Sequence, residues 1–195
     1  MIDLDREAWL NEAADLLIND RIEPATGRPA PHPFRVSVGF PPRSRANSKV
    51  LAVCCASAAS ADQHNEIFVS PAISDSIDVL AALAHELVHQ SDDCQSGHRN
   101  HFARTARLIG LEGKLTATTP SADLRHYLQS EIVDTLGPIP HAALDIGKAK
   151  KKQSTRMIKV MCDGCGFHFR ASQTQIDLIT TTACLACDTG NLHTV

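Results

Sequence analysis

Apolar positions change rhythm along the chain, and each rhythm predicts an element. Over residues 4–19, Ala8, Leu10, Ala14, Leu17 and Ile18 recur at helical spacing, with Trp9 as an anchor, so an amphipathic helix is expected. Pro24, Gly27, Pro29, Pro31 and Pro33 then predict a stiff connection. The period drops to two over 34–40, a strand halted by Pro41-Pro42, and short strands are expected again over 50–55 and 66–69. The small polar residues of 56–65 predict a hairpin-like connection, and the strand over 66–69 is expected at the edge of its sheet. Residues 77–88 are apolar except for Asp78, His85 and Glu86. Within them Ile77, Leu80, Ala84, Leu87 and Val88 follow helical spacing and would face a core. Ser74 or Asp75 would cap this helix, with Asp78 in its first turn. Two more helices are expected over about 101–109 and 121–136, the latter with Leu124, Leu128, Ile132 and Leu136 on one face. Gly137-Pro138-Ile139-Pro140 ends the run. These elements predict an α+β domain with a small three-stranded sheet.

The polar interruptions in the third helical run carry chemistry. His85-Glu86-Leu87-Val88-His89 is an H-E-x-x-H pattern, which puts two imidazoles on one helical face a turn apart. Such a pair can hold a zinc ion, with the glutamate beside it as general base. Ionisable groups on a helix this apolar need partners, and a metal supplies one. A catalytic zinc needs a third protein ligand. His98 follows His89 after eight residues, His101 lies three further on, and Glu112 lies 23 residues past His89. The polar segment 91–97 would let the chain turn and return His98 to the metal, with Gly97 allowing close backbone approach. His98 is the preferred ligand. His101 is expected to be solvated or outside the ligand set, and Glu112, at a helix terminus, to face solvent. Cys94 would reach the metal only awkwardly through the loop.

Taken with Gly97-His98, Phe102 and the basic helix after it, the motif makes residues 30–140 resemble the SprT-like zinc metallopeptidase family. Its members include small bacterial and bacteriophage proteins, and the DNA–protein crosslink proteases of eukaryotes are related. The resemblance implies a zincin-like fold, a catalytic zinc held by His85, His89 and His98, and Glu86 as the catalytic glutamate. The metzincin pattern does not fit, because Asp92 stands where its glycine would be and the third histidine comes sooner.

A second constellation closes the chain. Cys162-x-x-Cys165 and Cys184-x-x-Cys187 are separated by 18 residues, the spacing of a zinc ribbon in which four thiolates close one structural zinc site. A segment of this size buries too little apolar surface to fold without such a staple. Gly164 and Gly166 suit the knuckle turn, and residues 167–169 alternate like a short strand. The expected organisation is a peptidase domain over 1–140, a basic linker over 141–156 and a zinc ribbon over 157–195.

Charge and composition narrow the partners. The net charge of −3 gives no global signal for nucleic acid, yet residues 148–159 hold Lys148, Lys150, Lys151, Lys152, Arg156 and Lys159 with no acid among them. A basic tether before a zinc module could bind a phosphate backbone, or act only as a solvated tether. No signal core or membrane-length apolar run appears, so a cytoplasmic, membrane-free protein is expected. Cys54 and Cys55 are expected on opposite faces of a strand, as packing residues. Three readings follow: a zinc peptidase hydrolysing protein or peptide substrates, some of them DNA-associated; a non-catalytic nucleic-acid-binding protein on a zincin scaffold; or a zinc peptidase for non-DNA substrates.

Overall fold

The computed structural model describes residues 4–40, 50–145 and 157–195. The chain divides into two compact units, Met1–Gly147 and Lys148–Val195. Among the described residues no helix is long and apolar enough to cross a membrane.

The first unit mixes helices with two small sheets. Helix α1 (Arg6–Leu17) is capped by Asp5, whose side chain accepts from the Ala8 N–H. It buries Trp9, Leu10, Ala13, Ala14 and Leu17, and the Trp9 indole N–H donates to the Gly137 carbonyl at 3.0 Å. The helical path then continues past the expected break, through π-helical turns at Ile18–Ile22 into α2 (Glu23–Thr26). Pro24 does not end it: the proline follows directly on the π-helical turns, whose wider register takes the place of the regular α-helical ladder there.

Strands β1 (Phe34–Val38), β2 (Ala52–Cys55) and β3 (Asn65–Val69) form one sheet in the order β1-β3-β2. β1 pairs with β3 in parallel and β2 pairs with it antiparallel. β3 is therefore the central strand, not the expected edge; the edges are β1 and β2. An alternating pattern reports only that one face is covered, and so reads alike in a central and an edge strand. In β3, Asn65, Ile67 and Val69 are buried. Cys54 packs against the core, as the alternation of β2 requires.

Helix α3 (Ser76–Gln90) starts at Asp75, whose side chain accepts from the N–H groups of Ile77 and Asp78. Leu80, Leu83, Ala84, Leu87 and Val88 are fully buried and form the centre of the core with α1 and the sheet. α4 (Asn100–Leu108) adds Phe102 and Ala106. Residues 110–120 form an element absent from the sequence reading, a hairpin of β4 (Leu111–Lys114) and β5 (Ala117–Pro120). Glu112 is thus an exposed strand residue, not part of a helix terminus.

The last helical run is α5 (Ala122–Tyr127), π-helical turns over Leu128–Val133 and α6 (Asp134–Leu136). Apolar residues spaced by four drift around a helix of 3.6 residues per turn. The wider π turns correct that drift and keep Leu124, Leu128 and Ile132 buried together.

In the second unit, β6 (Ile158–Cys162) pairs antiparallel with β7 (His168–Ala171), which leads into the short α7 (Gln173–Ile176), and with β8 (Leu192–Thr194). Its core is small: Val160, Cys162 and Leu192, with Phe169, Ile176, Cys184 and Cys187 against it. Of the expected linker, 146–156 lies outside the described residues, which takes in most of the basic run.

Candidate metal centres

Helix α3 presents His85, Glu86 and His89 on the flank that its apolar residues leave uncovered. The chain then turns through residues 91–99 and returns His98 to the same place. This turn holds left-handed backbone at Asp93 (φ 54°), Cys94 (φ 60°) and Gly97 (φ 52°). The Cys94 N–H donates to the His89 carbonyl at 2.8 Å and the Ser96 N–H to the Asp92 carboxylate at 3.1 Å. Gly97 serves its conformation and not a close approach: a Cβ there would meet nothing within 4 Å.

The three imidazoles converge through Nε2. His98 Nε2 lies 3.2 Å from that of His85 and 3.3 Å from that of His89. Nitrogens held tetrahedrally at about 2.0–2.1 Å from one ion are about 3.3–3.4 Å apart. The spacing is thus that of a shared ligand sphere, and the group could hold a metal ion. The rings rest on Phe102, which is fully buried and stacks on His89 at 4.2 Å between centroids, with His85 at 4.8 Å and His98 at 5.0 Å. Burial, then the neighbouring imidazoles, pushes His85 down to about 3 and His89 to about 4, and burial lowers His98. Neutral rings keep the lone pairs that a metal needs.

Glu86 is buried beside them, and burial pushes its carboxyl up to about 7 against the opposing hydrogen bond of the Cys54 backbone N–H. β2 flanks the site. The Ser70 N–H donates to the Leu51 carbonyl at 2.7 Å, so in an antiparallel ladder the backbone groups of Ala52 and Cys54 point away from β3. Ala52 borders a cleft of about 730 Å³ that runs past His85, Glu86 and His98, between β2 and the β4–β5 hairpin. From the hairpin, Thr118 Oγ1 lies 2.8 Å from His85 Nδ1.

Other sequence candidates fall elsewhere. His101 Nε2 is 2.9 Å from Ser91 Oγ and outside the triad. Glu112 faces solvent on β4. Neither Tyr127 nor His126 lines the cleft: the Tyr127 hydroxyl donates to Asp20 at 2.9 Å with Arg21 over its ring, and His126 is exposed. The sequence reading missed Thr118 and the ring platform of Phe102. Only the hairpin left a signal, in the threonines bounded by Gly113 and Pro120.

In the second unit, Cys162, Cys165, Cys184 and Cys187 form a group that could hold another ion. Cys162 and Cys187 Sγ are 3.8 Å apart, and Cys165 and Cys184 Sγ are 3.7 Å apart. Thiolates at about 2.3 Å from a tetrahedral ion stand about 3.8 Å from one another. Backbone N–H groups turn toward the sulfurs, Gly164 to Cys162 at 3.3 Å and Ala186 to Cys184 at 3.2 Å. The Thr189 N–H, with neighbouring donors, draws Cys187 down to about 6. Gly164 and Gly190 are obligatory by space. A Cβ on Gly164 would meet Gly190 Cα at 2.9 Å, and one on Gly190 would collide with Cys162 Sγ.

No family model matches the chain, and neither a curated protein nor a solved structure is found to match it.

Proposed function

We propose that the first unit is a zinc-dependent metallopeptidase of SprT-like, zincin type and that the second is a zinc ribbon. One observation carries the reading. A buried carboxylate, raised to about 7, stands beside three imidazoles whose ligand nitrogens lie within 4.8 Å of one another, with His98 Nε2 at tetrahedral-zinc spacing from the other two, along a cleft. A purely structural site would need the histidines but not Glu86, and burying an unused carboxylate costs stability.

His85, His89 and His98 would hold the catalytic zinc, and the four cysteines the structural one. A bound zinc supplies Lewis acidity and an activated water. Glu86 then takes a proton from the attacking water on its carboxylate and returns it to the leaving amine nitrogen. Among the described residues no strand pairs with β2 on the side of Ala52, so an extended peptide could add there as a further strand, with its carbonyls along the cleft.

The DNA-associated part of the reading rests on the basic run and not on the ribbon. Between 157 and 195, Lys159 and Arg170 are set against Asp163, Asp177 and Asp188, so the ribbon itself is not cationic. The deciding experiment compares wild type with Glu86→Gln for cleavage of casein or histone, with and without single-stranded DNA. Cleavage by wild type alone is expected, with DNA raising its rate. Equal activity of the two proteins removes the peptidase assignment, and an unchanged rate with DNA removes the nucleic-acid coupling.

A further inference from the structure

We propose that Thr118 is a positioning residue of the histidine centre: its hydroxyl holds the His85 ring in the tautomer and orientation that point Nε2 at the ion. The inference rests on the metal-site part of the reading above and not on the identity of the substrate. His85 Nε2 faces inward, 3.2 Å from His98 Nε2, so Nδ1 is the outer nitrogen, and it lies 2.8 Å from Thr118 Oγ1. A ligating imidazole carries its proton on the nitrogen that the metal does not use, and the partner of that N–H fixes the ring. His85 Nδ1–H therefore donates to Thr118 Oγ1. Among the described residues neither His89 nor His98 has such a partner on Nδ1, so this bond is the protein's own handle on the ligand set.

The handle is firmly mounted. Thr118 pairs across the hairpin with Gly113. Leu111, on the same hairpin, is buried in the core. The Ser121 N–H donates to the Gly110 carbonyl at 2.8 Å, and the Ser121 side chain caps α5 through the Leu124 N–H. A Cβ on Gly110 would lie 2.7 Å from Ser121 Oγ, so this corner is tightly closed. The wall of the cleft and the orientation of a ligand are thus set by one rigid piece of chain. A hydroxyl also differs chemically from the carboxylate that often takes this place. A carboxylate raises the basicity of the ligand and softens the ion's pull on its water, whereas a neutral threonine does so less.

The test uses the full chain with Thr118→Val, which keeps the shape and suits a strand, and Thr118→Ser, which keeps the hydroxyl. Affinity of the histidine site for zinc is measured by chelator competition. The visible spectrum of the cobalt(II) form reports its geometry, and the thiolate charge-transfer band reports the ribbon in the same sample. Thr118→Val is expected to weaken the histidine site about tenfold and to alter its cobalt spectrum, with the ribbon band unchanged. Thr118→Ser is expected to stay within about twofold of wild type on the same scale. An unchanged affinity and spectrum in Thr118→Val overturns the proposal, and so does a Thr118→Ser as weak as Thr118→Val. Peptide cleavage is read separately: a wild type that binds the ion at this site but cleaves nothing overturns the peptidase reading and leaves the role of Thr118 standing.

Discussion

Asn65 Nδ2 donates to Asp93 Oδ1 at 2.8 Å, and this bond ties the turn that delivers His98 to the central strand of the sheet. Asp93 also accepts from the Ser57 N–H at 2.7 Å and from the Ser57 hydroxyl at 3.0 Å, while Asn65 is fully buried. These bonds hold two consecutive non-glycine residues in left-handed backbone, a conformation that costs energy and persists only where the surroundings impose it. Asp93→Ala strands the two Ser57 donors and one Asn65 side-chain N–H, the other being kept by the Cys55 carbonyl. A loss of about 1–3 kcal/mol in unfolding free energy is expected, as for buried groups left without partners. With the turn released, His98 is no longer delivered, so the histidine site should also lose affinity while the ribbon keeps its ion. Urea unfolding and zinc competition check both effects.

Glu86 makes stability depend on pH in a direction that can be worked out. Its carboxyl rises from 4.5 to about 7 on folding, so between those values the native chain binds more protons than the unfolded one. Native stability therefore falls as pH rises through that window, and the penalty is complete above about pH 7. Taken at full size the shift corresponds to about 3 kcal/mol, an upper figure for a buried group. Glu86→Gln removes the charge. In metal-free protein the variant should match wild type near pH 4 and exceed it in stability above pH 7. The histidine contributions are common to both proteins and cancel in the difference. Thermal melts across pH, with chelator present, give the comparison, and equal curves for the two proteins would contradict the burial of a charge at this position.

The distances in both clusters predict two ions per chain. Cys162→Ser with Cys184→Ser should leave one ion, held by the histidines; His85→Ala with His98→Ala should leave one, held by the thiolates. The thiolate loss should also unfold the second unit, because its buried core is only Val160, Cys162 and Leu192. The first unit has a large core of its own and should keep its melting transition. Metal analysis of the purified variants and calorimetry separate the two losses.

How far the sequence reaches follows from which interactions are local. His85, Glu86 and His89 share one helix turn, and each pair of cysteines shares one knuckle, so spacing alone places them. His98 was readable because only a short polar turn separates it from α3. Thr118 was not, since its bond to His85 spans 33 residues and depends on a hairpin whose threonines reveal strand propensity but no partner. The order of the sheet was illegible for a similar reason. β3 is made central by the parallel pairing of β1, and a pairing partner leaves no mark on the alternation of either strand. The continuation through Pro24 is illegible in the sequence, because a proline marks a break unless the turn before it is known to be π-helical.

The edge of β2 offers a last prediction. In the ladder with β3, Ala52 faces Val69 as a non-hydrogen-bonded pair, so its N–H and C=O point away from β3, to the side along the cleft where no described strand pairs. Ala52→Pro deletes that donor without breaking a ladder bond, and edge strands tolerate proline. If peptides bind by strand addition at this edge, the variant loses one main-chain hydrogen bond to substrate, equivalent to about 1 kcal/mol, or roughly fivefold in kcat/KM. Zinc content and melting temperature should stay near wild type, since Ala52 is not in the ligand group and its backbone makes no ladder bond. Short peptides that do not reach β2 should be cleaved equally by both proteins. A uniform loss on short and long peptides would instead mean that the proline had disturbed Glu86 through Cys54, and the edge would then have no part in substrate binding.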